Sequence, residues 1–213
     1  MIQLLIQHQY ILFILIAFAL VFSLTFHEYG HGMMASLIGD DTAQRAGRLT
    51  LNPLPHLDPL GLLMVLLIGF GYAKPVPTDP RKFNTRWGML LVAAAGPGMN
   101  LLLAFVTINL YLIGQRSGWP LFETDVAKVF FYYLPLINML LMLFNLLPIG
   151  PLDGSYILPY LLPRDLARKY QQLNIQFGVY ALLGLILINF MGVPVFAKLW
   201  WLGEYLLQLI SIF

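Results

Sequence analysis

The sequence predicts an all-α polytopic membrane protein: a bundle of about 4–6 transmembrane helices, with a short β-hairpin or re-entrant segment after the first helix. Two observations support this prediction. Of the 213 residues, 59% are hydrophobic and only 10% are charged, whereas soluble domains carry about 25% charged residues. Several apolar runs also approach or exceed the roughly 20 residues that an α-helix needs to cross a bilayer. The length suits one membrane-embedded domain over residues 1–213 and leaves no room for an appended soluble domain.

The first apolar segment runs from about Tyr10 to Ile38 and ends at Gly39-Asp40-Asp41. Such a helix measures roughly 43 Å, which exceeds the hydrocarbon core, so we expect it to tilt or to protrude. It carries no basic n-region and is too long for the apolar core of a cleaved signal peptide. We therefore expect it to remain as the first transmembrane helix.

A polar stretch separates this helix from the next apolar residues. Residues 47–52 alternate between apolar and polar side chains, which predicts a short strand or hairpin. Prolines at 53, 55 and 59 then prevent a helix. Residues 60–72 are apolar but short for a span, so we expect a re-entrant or partly inserted segment there. The prolines between residues 75 and 80 predict an extended loop after it.

Further apolar segments follow along the rest of the chain. We expect spans at about Trp87–Ile113 and Val129–Leu147, a polar, basic loop at 159–176, and C-terminal helices within 177–213. Whether residues 195–213 cross the membrane is not fixed by their length. Small residues at 93–98 predict close helix contact in the span at Trp87–Ile113.

Loop charges orient the helices, because basic residues favour the cytoplasmic side. If the first helix ends inside and 60–72 returns to the side it left, nine basic residues lie inside and two lie outside. The inside set is Arg45, Arg48, Lys74, Arg81, Lys82, Arg86, Arg164, Arg168 and Lys169, and the outside set is Arg116 and Lys128.

The first apolar segment contains an H-E-x-x-H pattern formed by His27, Glu28 and His31. Positions i and i+4 share one face of a helix, so both imidazoles can reach one metal ion. Glu28 is then placed to deprotonate a water molecule at that metal. Ionisable residues inside a membrane helix are costly and indicate a functional site. The pattern therefore predicts a metal centre within the bilayer, nearer to its cytoplasmic face.

A catalytic zinc usually has three protein ligands, and the sequence offers few candidates for the third. The chain has no cysteine, which also excludes disulfides, and only two other histidines, His8 and His56. Asp153 lies in a Pro/Gly-rich break at the cytoplasmic end of a span, where irregular backbone must line protein or a watery cavity. It is the best candidate, although it can equally cap the following helix.

Two asparagines within the spans, Asn100 and Asn145, are also candidates for the site. Either can hydrogen-bond to a neighbouring helix instead, which is the commoner role of an amide in a bilayer. The small net charge of +2 and the absence of a basic stripe argue against nucleic acid as a partner.

The chain resembles the site-2 protease family, peptidase family M50, in its compact form without PDZ or CBS domains. The motifs that support the resemblance occur in the family's order over residues 27–154, most of the chain. They are His27-Glu28-Tyr29-Gly30-His31, Gly47 to Pro59, Lys74-Pro75-Val76-Pro77, Ala95-Gly96-Pro97-Gly98-Met99-Asn100 and Asn145 to Gly154. One departure is Gly150, where many relatives have proline; it removes no ligand.

The resemblance implies an intramembrane zinc metalloprotease that holds one Zn²⁺ per chain through His27, His31 and Asp153. It implies Glu28 as the catalytic residue and a role for Asn145 and Asn100 in holding the substrate or the developing oxyanion. The protease domain would have its catalytic core at about 10–158. The partner would be a transmembrane helix of another protein in a prokaryotic cell membrane, cut in regulated intramembrane proteolysis.

Two rival functions come from other classes. One is a non-catalytic membrane protein that binds or transports zinc, but such a protein has no use for a general base beside two ligands. The other is an inactive scaffold that binds membrane helices, and the complete set of His, Glu, His and Asp argues against it.

Overall fold

The computed structural model describes residues 1–68 and 71–212, and the secondary structure of these residues is entirely helical. Short 3₁₀ turns occur at Leu54–His56 and Pro80–Lys82. The α-helices of the described residues are α1 (Ile2–Ile6), α2 (Tyr10–Leu37), α3 (Thr42–Arg45), α4 (Pro59–Ile68), α5 (Gly88–Arg116), α6 (Pro120–Glu123), α7 (Asp125–Asn145), α8 (Gly154–Leu161), α9 (Arg164–Phe190) and α10 (Val195–Ile210).

Four helices within the described residues are long and apolar enough to cross a membrane, namely α2, α5, α7 and α9. The chain is therefore a multi-pass membrane protein, as its composition predicts. Helix α10 has 16 residues, which corresponds to about 24 Å and is short for a full crossing.

The start of α9 differs from the sequence-based expectation. Residues 159–176 were expected to form a loop, but they are helical except for a break at residues 162 and 163. Helix α8 ends before Pro163, which precedes the first residue of α9. The expectation is wrong because Leu, Ala, Arg, Lys and Gln are good helix formers even where they are too polar to cross a bilayer.

Helices α2, α5 and α7 form the centre of the bundle. Buried Ala19 of α2 packs with Leu134 and Ile137 of α7, while Ala35 of α2 packs with Val92 of α5. Gly30 marks the closest approach of α2 to α5, since a Cβ atom there would lie 2.8 Å from the Ala95 carbonyl oxygen. Small residues thus let the two backbones pack directly against each other.

A buried polar network joins the same three helices. The Asn138 side-chain amide donates to Ser23 Oγ at 2.8 Å, and the Asn100 amide donates to Asn138 Oδ1 at 2.9 Å. Asn100 also donates to the Ser23 carbonyl at 3.2 Å. All three side chains are fully buried. Each polar group therefore has a partner, as it must in a medium without water.

The predicted β-hairpin is not found among the described residues. Residues 49–51 form bends, and Thr50 Oγ1 accepts from the Asn52 backbone N–H while Asn52 Oδ1 accepts from the Leu54 N–H. These local side-chain bonds compete with the pairing that a strand would need. The alternating pattern was the basis for expecting a strand, and it does not reflect two-faced burial here.

The expected re-entrant segment corresponds to α4 and the chain that returns from it. Residues 69 and 70 of this segment lie outside the described part of the chain. Helix α4 has 10 residues, too few to cross a bilayer. The Lys74 backbone N–H donates to the His56 carbonyl at 2.9 Å, so the two ends of the segment meet. The chain therefore returns to the side that it left.

Residues 79–84 are held against the end of α2 by polar contacts. Asp40 is fully buried and accepts from the Asp79 backbone N–H at 2.6 Å. Lys82 Nζ donates to Asp41 Oδ1 at 2.9 Å. Hydrogen bonds from the Arg81 side chain and backbone hold the pKa of Asp79 down at about 2, so this carboxylate stays ionised at neutral pH. These contacts fix one end of the extended loop that leads back toward Glu28.

Candidate metal centre

The two histidines of the H-E-x-x-H pattern lie on one face of α2, as their spacing predicts. His27 and His31 are one helical turn apart, and their Nε2 atoms are 3.0 Å from each other. His27 is 5% exposed. The helix thus brings two potential ligand atoms together inside the bundle.

Helix α5 fixes the orientation of both imidazole rings. His27 Nδ1 lies 2.6 Å from Asn100 Oδ1, and His31 Nδ1 lies 2.7 Å from the Val92 carbonyl oxygen. Because a carbonyl oxygen only accepts, each Nδ1 carries the proton and donates it. In the neutral form of the ring, each Nε2 then carries the lone pair, which is the state a metal ligand needs.

Gly96 leaves the space between α5 and the histidines open. A Cβ atom at this position would overlap His31 Nε2 and would lie 2.7 Å from His27 Cε1. No side chain other than hydrogen fits there. Gly96 of α5 therefore leaves the space that the two rings occupy.

Asp153 reaches the histidine pair from the turn between α7 and α8. Its Oδ2 atom lies 3.3 Å from His27 Nε2 and 3.5 Å from His31 Nε2. The turn is anchored by α9, because the Gly150 N–H donates to Asn174 Oδ1 at 2.7 Å and the Tyr170 hydroxyl donates to the Pro148 carbonyl at 3.0 Å. Asp153 occupies the N-cap position of α8, yet its side chain makes no capping hydrogen bond.

The three residues fit a zinc ion. Their ligand atoms are separated by 3.0, 3.3 and 3.5 Å, and a tetrahedron with metal–ligand distances of about 2.0–2.2 Å has edges of about 3.3–3.6 Å. Asp153 Oδ2 is also buried without a hydrogen-bond partner among the described residues. A buried carboxylate oxygen facing two imidazole lone pairs is unfavourable without a cation, which a metal ion would supply.

Glu28 is the remaining member of the pattern and lies beside the two histidines on α2. It is 8% exposed, and its Oε2 atom accepts a hydrogen bond from the Val76 backbone N–H at 2.9 Å. No cation pairs with it among the described residues, and its Oε1 atom makes no hydrogen bond there. The carboxylate is thus held at one oxygen and free at the other.

The two candidate asparagines, Asn100 and Asn145, have different contacts in the structure. Asn100 is fully buried behind His27, so its contact orients the His27 ring. Asn145, at the end of α7, donates from its amide to the Leu141 carbonyl at 3.0 Å, and its Oδ1 makes no hydrogen bond among the described residues. The other histidines lie elsewhere: exposed His8 contacts Tyr10, and buried His56 contacts the Thr50 carbonyl.

Sequence reasoning missed three contacts of this site. The Val92 carbonyl orients His31, the Val76 N–H holds Glu28, and the Asn174 side chain anchors the turn that carries Asp153. The first two are backbone groups, which every residue carries, so no sequence pattern marks them. An asparagine in the polar first half of α9 also carries no signal of its own.

Comparison with known proteins identifies the family. The profile of peptidase family M50 matches residues 15–124 and 119–185. The chain belongs to this family. It is 43% identical over 157 residues to YwhC of Bacillus subtilis, a protein named as a candidate zinc metalloprotease, and the match covers 72% of this chain and 71% of YwhC.

Two further relatives carry the same kind of name. Rip2 of Mycolicibacterium smegmatis is 34% identical over 165 residues, which cover 71% of this chain and 59% of that protein. Rip2 of Mycobacterium tuberculosis strain H37Rv is 32% identical over 202 residues, which cover 90% of this chain and 74% of the relative. No solved structure matches the chain. Membership in family M50, the site-2 protease family, makes this chain a zinc metalloprotease.

Gly96→Ala tests whether the space beside the histidines is needed for zinc. We expect at least about tenfold weaker zinc affinity, because the new methyl group displaces the imidazoles. Zinc content by mass spectrometry and competition with a chelator measure the effect. Gly98→Ala is the matched control, since a Cβ atom there meets nothing within 4 Å. Equal zinc affinity of the two variants would contradict the assignment.

Asn100→Ala tests the hydrogen bond behind His27. We expect about 10–100-fold weaker zinc affinity, because the ring loses the group that fixes its tautomer. Asn109→Ala is the control: Asn109 is a buried asparagine on the same helix, but it contacts residues 210 and 212 near the C-terminus. If both variants bind zinc as tightly as the wild type, Asn100 has no role in ligand orientation.

Proposed function

We propose that this protein hydrolyses peptide bonds within transmembrane segments of other membrane proteins, and so performs regulated intramembrane proteolysis. The observation that supports this most strongly is the convergence of His27, His31 and Asp153 beside Glu28, inside a bundle of membrane-spanning helices. A zinc-binding or zinc-transporting protein would need the ligands but not the glutamate.

The chemistry follows from the roles of the residues. His27, His31 and Asp153 would hold Zn²⁺, which would act as a Lewis acid toward the scissile carbonyl and the attacking water. Glu28 accepts the proton of the attacking water at its free oxygen and later gives a proton to the leaving amine. The hydrogen bonds to Asn100 and the Val92 carbonyl keep the histidine rings in place throughout.

We also propose that Asn145 holds the substrate or the developing oxyanion. Its amide donates one N–H to the Leu141 carbonyl, and the second N–H remains available. A preorganised amide donor of this kind is a common element of an oxyanion site. Asn100 is less suited to that role, because its side chain is fully buried behind His27.

The substrate would be a helical segment that unwinds locally, because helical hydrogen bonds and neighbouring side chains shield the peptide bond. The domain would extend over residues 1–213, with the catalytic core at about 10–158 and the C-terminal helices within 177–213. We propose a prokaryotic cell membrane as its location, because the relatives described above are bacterial. We propose that the active site lies toward the cytoplasm, because the loop charges favour that orientation.

The decisive test compares wild type with Glu28→Gln in liposomes that contain a panel of single-span membrane proteins. We expect the wild type to cleave at least one of them and Glu28→Gln to be about 10²–10⁴-fold slower, since a general base typically contributes that much. Zinc content should be equal in both. Gel analysis and mass spectrometry identify the products, and zinc flux is measured in the same vesicles.

Two further variants complete this test. Glu123→Gln, which alters an exposed glutamate on α6, should cleave like the wild type, and Asn145→Ala should lose kcat while it keeps zinc. Equal cleavage by wild type and Glu28→Gln would contradict the proposed protease mechanism. Zinc flux without cleavage would instead support a zinc-transporting protein. Membrane proteins that accumulate uncut in a Glu28→Gln strain are then candidate natural substrates.

Orientation can be tested by cysteine labelling, because the chain has no cysteine of its own. Gln44 lies in α3, after the end of α2, and Ser117 lies after α5. We expect Ser117→Cys to react with a membrane-impermeant maleimide in intact cells, and Gln44→Cys to react only after permeabilisation. The reverse pattern would place the active site toward the other face.

A further inference from the structure

The loop that returns from the re-entrant segment makes one direct contact with the catalytic pattern. Within residues 74–79, the Val76 N–H donates to Glu28 Oε2 at 2.9 Å. Val76 is 8% exposed. Its side chain faces Gly32, one turn after Glu28, where a Cβ atom would lie 3.3 Å from Val76 Cγ1. The loop thus docks on α2 beside the general base.

The sequence of this loop restricts its backbone. Pro75 and Pro77 flank Val76, and each proline ring fixes its own φ angle and lacks an N–H group. A residue before proline is also confined to extended conformations, which applies to both Lys74 and Val76. Val76 therefore carries the only amide hydrogen in residues 75–77, and its direction has little freedom.

Hydrogen bonds fix the chain on both sides of Val76. Upstream, the Lys74 N–H donates to the His56 carbonyl at 2.9 Å, and Arg48 Nη2 donates to the Lys74 carbonyl at 2.6 Å. Downstream, the Asp79 N–H donates to Asp40 Oδ2 at 2.6 Å. Arg48 is 8% exposed and has no ion-pair partner among the described residues. This costly burial is consistent with a requirement to hold the loop in place.

We propose that Pro75-Val76-Pro77 is a positioning element for the general base. The rigid Val76 N–H holds Glu28 Oε2, so that Oε1 is presented to the water that attacks the substrate. The N–H donates throughout the reaction and is not itself transferred. This proposal rests on the proposed function in its claim about catalysis, whereas the contact itself does not depend on a substrate.

The first arm of the test uses hydrogen–deuterium exchange of the zinc-loaded protein in detergent. Overlapping peptides across residues 72–79 isolate the Val76 amide, because its two neighbours are prolines. We expect Glu28→Ala to accelerate its exchange about 10- to 100-fold, as for loss of a hydrogen bond to a charged group. Glu28→Gln, which keeps an oxygen acceptor, should show a smaller acceleration. Exchange at Lys74 and Asp79 should not change.

The same exchange rate at Val76 in wild type and Glu28→Ala would overturn the proposal. Faster exchange at Lys74 and Asp79 as well would also overturn it, since Glu28 would then be holding the loop rather than the reverse. Glu123→Ala serves as the control and should leave all of these rates unchanged.

The second arm measures cleavage of a substrate that the wild type cuts. Val76→Pro removes the N–H, and we expect kcat to fall about 10- to 100-fold while KM stays within about twofold and zinc content is unchanged. Val76→Ala keeps the N–H and should retain more of kcat than Val76→Pro. Thr78→Pro is the matched control, because the Thr78 amide makes no hydrogen bond among the described residues; it should behave like the wild type.

Equal losses in Val76→Pro and Thr78→Pro would overturn the proposal, because the effect would then be general loop distortion. A rise in kcat in Val76→Pro would overturn it too, since the contact would then restrain the base. If Val76→Pro fails to fold, the exchange arm still decides. If the wild type cleaves nothing, the proposed function fails while the exchange arm still reports on the contact.

Discussion

The close packing of α2 against α5 is the constraint on which the rest of the structure depends. Gly30 allows the two backbones to touch, and Gly96 leaves room for the imidazoles between them. At this distance α5 can offer Asn100 Oδ1 and the Val92 carbonyl to the two Nδ1 atoms. A wider separation would break both hydrogen bonds, and the histidines would then be free to rotate or change tautomer.

Burying polar side chains within a bilayer costs free energy, and the structure offsets this cost by giving them hydrogen-bond partners. The Asn100 amide is bound to Asn138 and to the Ser23 carbonyl, so the group that orients His27 is itself satisfied. Within the His27–His31–Asp153 group, Asp153 Oδ2 is the exception, because it is buried without a hydrogen-bond partner among the described residues. Its position 3.3 and 3.5 Å from the two Nε2 atoms explains the exception, since a bound cation would satisfy it.

Irregular segments complete what the helices begin. The α7–α8 turn brings Asp153 to the histidines and is held by Asn174 of α9. The extended chain after α4 brings the Val76 N–H to Glu28. Both segments are anchored by hydrogen bonds at several points, because backbone that is not helical must find other partners at membrane depth. Helix α2 is thus supported from three sides.

The sequence by itself determined the membrane class, the positions of α2, α5 and α7, and the His27–Glu28–His31 face, because apolar run length and the i, i+4 spacing are local properties. It favoured Asp153 as the third ligand but left capping as an equal alternative. The tertiary structure alone showed that the Asp153 side chain does not cap α8, that residues 47–52 form no strand, and that α9 begins at Arg164. It also revealed the contributions of the Val92 carbonyl and the Val76 N–H. Those outcomes depend on which distant groups meet, and backbone donors and acceptors leave no mark in a sequence.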